Sequence, residues 1–201
     1  MKKKHFAGVI FILAAVLTIL SGISAFADIP SPNRDFYYLD EVGVMSDETR
    51  FMLHTNGKAL EEACGAQIVV LVVDGLDGMK IDTYAYTVIN EWGVGDKNEN
   101  NGVVLVIDET GGEYRMTIGY GLEKYMTSAS VQKMLDENFH QLFLEYKTDL
   151  AVRNLYEKLF YEICGFYDVE LEMITGTETE ENTVKSVFDR ILENMNGWRD
   201  D

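Results

Sequence analysis

One loop of this chain gathers oxygen donors densely enough to do chemistry: Trp92-Gly93-Val94-Gly95-Asp96-Lys97-Asn98-Glu99-Asn100-Asn101-Gly102. Carboxylate and carboxamide oxygens are the hard ligands that Ca2+ and Mg2+ prefer. Asp96, Asn98 and Asn100 alternate as the ligands of an EF-hand do. However, Asn101 takes the place of the glycine such a loop requires, and Ile107 that of its bidentate glutamate, so an EF-hand is excluded. Two readings stay open: a plain turn whose Asn and Gly residues satisfy backbone geometry, and one half of a cation site.

The other half follows from topology. Val103 to Ile107 is a buried-strand run, and in Glu113 to Ile118 the apolar residues Tyr114, Met116 and Ile118 alternate with polar ones, so the two predict an antiparallel hairpin. The segment entering the first strand and the segment leaving the second lie at the same sheet edge. Asp96 to Asn101 should therefore face Gly119-Tyr120-Gly121-Leu122-Glu123, letting Asp96, Asn101 and Glu123 offer oxygens to one Ca2+ or Mg2+ ion. Asp74 and Asp108, at the far strand ends, form a rival cluster in the crevice where open α/β sheets bind ligands, although each also suits a turn cap.

Other catalytic signatures are missing: there is no Walker loop, nucleophile elbow, His-Glu-x-x-His or Cys-x-x-Cys. His54 and His140 fall inside predicted helices, which argues against a hydrolase built on a histidine base. Cys64 and Cys164 permit one bridge closing about 100 residues, or two buried thiols.

The elements that must position these residues are legible from periodicity. Phe36 to Leu39 reads as a short strand. Ser46, followed by Asp47 and Glu48, caps a helix from about Asp47 to Ala63, and Gly65 ends it. Ala66 to Val73 is a continuous β-branched run, so both of its faces should be covered. Tyr84, Ala85, Val88, Ile89 and Trp92 mark a crossover helix over Ile81 to Trp92, which would make the strands on either side of it parallel. A helix capped by Thr127 or Ser128 turns Val131, Met134, Leu135, Phe139 and Leu142 inward, and another begins at Thr148. The order predicts a three-layer α/β/α sandwich with a mixed, mostly parallel sheet of about four strands ending in the hairpin. Past Gly165 an acidic linker, Thr175 to Asn182, leads to an amphipathic helix over Glu180 to Asn194.

Charge and the first residues bound the partners. Lys2, Lys3 and Lys4, the apolar run from Phe6 to about Leu20 and Ala25-Phe26-Ala27 have the layout of a cleavable secretory signal over residues 1–27. Cleavage would leave Asp28 first and no stable membrane span, placing the protein outside the cytoplasm. Residues 28–35, with Pro30 and Pro32, read as an extended lead-in. The formal charge of -17 repels nucleic acid and anionic headgroups and favours cations, basic surfaces or neutral ones.

Four motifs in order resemble the TPM domain family: Tyr38-Leu39-Asp40-Glu41-Val42-Gly43-Val44-Met45-Ser46, Gly65-Ala66-Gln67-Ile68, Trp92-Gly93-Val94-Gly95 with Asn101-Gly102-Val103, and Gly119-Tyr120-Gly121-Leu122-Glu123. The resemblance spans about Phe36 to Ile163, within a domain read as residues 36–164 and followed by the appendage 165–201. It implies an extracytoplasmic α/β/α sandwich and, in some relatives, divalent cation binding or acid phosphatase activity. It would also place Asp40 beside Asp96, Asn101 and Glu123 in an acidic site. Cys64 stands where a threonine is usual, and the membrane span and glycine-rich tail of many bacterial members are absent from this sequence. Two functions are consistent with these expectations. One is an exported protein that binds a divalent cation and serves envelope protein maintenance or assembly, with weak phosphatase chemistry. The other is a non-catalytic protein–protein interaction module whose acidic site is structural.

Overall fold

A computed structural model describes residues 29–32 and 36–175, so the expected signal segment and the helix over Glu180 to Asn194 lie outside the described residues. Four strands, β1 (Tyr38–Asp40), β2 (Gln67–Val73), β3 (Gly102–Asp108) and β4 (Glu113–Ile118), form one sheet in chain order. The first three run parallel; β4 returns antiparallel to β3, as the hairpin pattern predicts.

Alternation along the strands sorts the core into two layers. Ile68, Val70, Val72, Val103, Leu105 and Ile107 point to one face, and Val69, Leu71, Val73, Val104 and Val106 to the other. The second face is covered by α2 (Ile81–Glu91), through Tyr84, Ala85 and Val88. The first carries α1 (Asp47–Cys64), α3 (Ser128–Leu135), a short α4 (Gln141–Leu144) and α5 (Thr148–Tyr167). The result is a three-layer α/β/α sandwich with an open mixed sheet.

Local chemistry explains the helix limits. Ser46 Oγ accepts the Thr49 N–H at 3.2 Å to cap α1, and Gly65, at φ 72°, ends it in the left-handed region. Thr127 caps α3 in the same way through the Ser130 N–H at 3.2 Å. A wide π turn over Asp136–His140 then interrupts the helical register, and Phe143 is buried while Leu142 is only partly so. Strict steps of three and four place Leu142 inward; the extra residue of the π turn passes that role to its neighbour.

Both ends of the described chain pack more closely than the sequence suggests. Ile29 is buried, and Trp92 Nε1 donates to the Pro30 carbonyl at 2.9 Å, seating the lead-in on the end of α2. The boundary expected at 164/165 falls inside α5, which runs on to Tyr167. The chain then folds back so that Asn56 of α1 grips the backbone of Ile174 in both directions, each at 2.8 Å.

Candidate functional site

The rim assembled at the start of β3 is built by close backbone approach. Gly119 N donates to Gly102 O at 2.8 Å and Gly121 N to Asn100 O at 3.0 Å, so the entry loop and the exit segment do meet. Glycine is required at both exit positions: a Cβ would lie 2.1 Å from Asn100 O at Gly119 and 1.7 Å from Glu99 O at Gly121. On the other side of the loop, Gln67 Oε1 accepts the Gly95 N–H at 2.5 Å and fixes the loop to β2.

Within this frame the four expected ligands have different fates. Asn101 is fully buried; its Oδ1 accepts the Asp96 N–H at 3.0 Å and its Nδ2 donates to Cys64 O at 3.2 Å, so both ends of the amide serve the backbone. Asp96 Oδ1 accepts the N–H groups of Asn98 (2.8 Å) and Glu99 (3.0 Å), which curls the loop. Those bonds, the Glu99 N–H first, hold its carboxyl below the usual carboxylate range. Glu123 is exposed just beyond the 3-10 turn Tyr120–Leu122. Asp96 and Glu123 line one cleft of about 430 Å³, together with Tyr86, Ile89 and Tyr120.

Asp40 does not join them. It pairs with Val72 at the C-terminal end of β2, whereas Gly102 pairs with Gln67 at the N-terminal end, five residues or roughly 17 Å away along the strands. Parallel strands place the end of one and the start of another at opposite sheet edges, which corrects the grouping implied by the resemblance. Where it stands, Asp40 Oδ1 accepts the N–H groups of Gly43 (2.8 Å) and Val44 (3.1 Å), and Oδ2 accepts Met45 N–H (2.9 Å) and Arg50 Nη2 (3.0 Å). Burial alone would raise its pKa, but the Met45 N–H, the Arg50 guanidinium and the other two amides outweigh burial and lower it.

The rival acids are also committed. Asp74 Oδ1 accepts the Thr110 hydroxyl at 2.5 Å, and Asp108 Oδ1 accepts the Gly111 N–H at 2.8 Å, so both hold the β3–β4 turn. Among the described residues, no group of three or more His, Cys, Asp or Glu side chains is arranged to hold a metal ion. The four residues therefore do not fit a shared cation cage.

Cys64 and Cys164 are free thiols, the first partly buried and the second buried, and Cys64 Sγ donates to Leu60 O at 3.3 Å. Burial raises the pKa of both, and the nearby Cys64 adds to the effect on Cys164. His140 Nδ1 shares a 2.7 Å hydrogen bond with the Tyr114 hydroxyl.

Three features of the rim escaped the sequence reading. Tyr86 and Tyr120 are 58% and 74% exposed, and Gln67 anchors the loop. Tyr86 falls off the inward stripe Tyr84, Ala85, Val88, which was the available signal for an outward aromatic. Among the described residues no helix is long and apolar enough to cross a membrane.

Known proteins agree with this architecture. The N-terminal domain of a protein from P. gingivalis superposes with TM-score 0.57 at 18% identity, covering 68% of this chain and 87% of that one. The N-terminal domain of cg2496 from Corynebacterium glutamicum gives 0.51 at 15% identity, covering 68% and 84%. The BA42 protein of Bizionia argentinensis gives 0.55 at 11%, covering 67% and 91%. At these identities the likeness is one of fold. A search of curated proteins finds no match. The family model of the TPM domain matches residues 38–161, the span that holds the sheet, the rim and most of α5, and the chain belongs to the TPM domain family.

Proposed function

We propose that this TPM-domain protein acts outside the cytoplasm as a binding module in envelope protein maintenance or assembly, and that it works by recognition rather than turnover. One observation carries the reading. Asp40, Asn101, Asp74 and Asp108 hold backbone and neighbouring side chains, and Asp96 gives its Oδ1 to the loop amides, while the cleft of Tyr86, Ile89, Tyr120, Asp96 and Glu123 stays open to solvent with Glu123 exposed. An apolar pocket with a few convergent polar groups is the usual form of a binding site. Residues 1–27 support the location. Expression with the native N-terminus should yield a secreted chain beginning at Asp28.

Hydrolysis of p-nitrophenyl phosphate separates binding from catalysis. Wild type and Asp96→Ala should be equally inactive; turnover lost on that substitution, with folding intact, would overturn the reading.

A second form of cation binding rests on Asp96 and Glu123 sharing one cleft. Two carboxylates and several waters are a normal Mg2+ environment. A thermal titration tests this form, since metal at 100 times its dissociation constant adds ~2.7 kcal/mol. No shift with millimolar Ca2+ or Mg2+ would remove it.

A further inference from the structure

The β4 strand closes one side of the sheet, and its outer edge runs between two clefts. The bond from Gly119 N to Gly102 O marks that opposed pair as hydrogen-bonded. Pairs in an antiparallel ladder alternate. Thr117 and Arg115, opposite Val104 and Val106, therefore turn their backbone groups toward β3, whereas Ile118, Met116 and Tyr114 turn theirs outward. Among the described residues, no backbone outside the sheet bonds to those three.

The flanks of this edge are shaped for side chains. On the α2 side lies the 430 Å³ cleft with Tyr86, Ile89, Tyr120, Asp96 and Glu123. On the α3 side lies a second cleft of about 670 Å³ with a mixed lining, Met116 and Val131 beside Thr127, Ser128 and Gln132, and also reached by Glu123. Successive side chains of an added strand point to opposite faces, so one set would enter each cleft.

The charges select the occupant. Arg115 is paired with Asp82 at 3.1 Å, and the Lys124 ammonium lies 4.6 Å over the Tyr125 ring, which leaves Asp96 and Glu123 opposed only by Lys97 in the α2-side cleft. The whole chain carries -17. A lysine or arginine stem fits along Tyr86 and Ile89 with its charge at the two carboxylates. A short aliphatic residue such as valine reaches Met116 and Val131 in the second cleft without covering the polar groups of Thr127, Ser128 and Gln132.

We propose that the β4 edge binds an extended segment of a partner protein in which basic and aliphatic residues alternate, adding a fifth strand to the sheet. This inference rests on the binding reading above and names the class of partner.

The test uses the chain from Asp28 and a capped nine-residue peptide of alternating lysine and valine flanked by threonines, followed by NMR and amide exchange. Saturable binding should slow exchange at the amides of Tyr114, Met116 and Ile118 and leave Arg115 and Thr117, already bonded, unchanged. Glu123→Lys combined with Asp96→Lys should weaken binding about tenfold or more, and a peptide with glutamate in place of lysine should not bind. No binding at millimolar peptide overturns the proposal. Binding that leaves those three amides unprotected overturns it too, while sparing the binding reading. Protection of the same amides by self-association without peptide would assign the edge to a second copy of the chain and equally overturn it.

Discussion

Asn101 stands between the end of α1 and the entry loop, its Nδ2 3.2 Å from Cys64 O and its Oδ1 3.0 Å from Asp96 N. A single buried amide thereby fastens the rim to the helical layer. Replacing it by alanine takes the donor from the part-buried Cys64 carbonyl and leaves the Asp96 N–H held by the Gly65 carbonyl alone, at 3.2 Å. Asn101→Ala should cost about 2 kcal/mol in urea denaturation, and the cleft residues Tyr86 and Tyr120 should show the largest chemical-shift changes.

Asp40 is structural, and its removal should be felt in stability rather than in binding. Its side chain is 2% exposed and takes three backbone N–H groups besides Arg50. Asp40→Asn should cost about 3 kcal/mol near neutral pH. Because the folded pKa is lowered, this contribution is present above the unfolded value of about 3.9 and lost as pH falls through the lower folded value. The stability gap between wild type and Asp40→Asn should hold at about pH 6 and close steadily below about pH 4; a gap unchanged by acid would refute the assignment.

Two glycine substitutions should move in opposite directions. Gly121→Ala drives a methyl into Glu99 O and should destabilise by about 1–3 kcal/mol while separating the rim. Gly165 lies within α5 with nothing within 4 Å of its would-be Cβ. Gly165→Ala should stabilise by about 0.5–1 kcal/mol. Thermal melts of the two variants check both signs.

The thiols should be slow to alkylate. Their raised pKa values leave less thiolate at about pH 8 than an ordinary cysteine has. Iodoacetamide should label Cys64 slowly and Cys164 only after denaturation, with the Cys64 rate climbing as pH rises. Prompt labelling of Cys164 in the native protein would contradict its burial.

The sheet was readable because its signals are local. The β-branched run from Ile68 to Val73 announces a strand covered on both faces, and the alternation Tyr114, Met116, Ile118 announces β4 and its register. The hairpin likewise announced that the entry loop and the segment Gly119 to Glu123 share one edge. What failed was the grouping of Asp40 with that rim, because strand direction, invisible in any single motif, sends the end of β1 to the opposite edge. The carboxamide of Asn101 misled for a related reason: a ligand and a buried backbone clamp have the same donors, and only burial tells them apart. The π turn at Asp136–His140 leaves no mark in the apolar pattern until Phe143 replaces Leu142.

Strand order in the sheet equals order along the chain. Nothing made early must later open to admit a latecomer, so a polypeptide delivered from its N-terminus can dock each strand beside the one already in place. Vectorial delivery and assembly can then proceed at the same pace, with β4, the last strand to arrive, left as the growing front of the sheet.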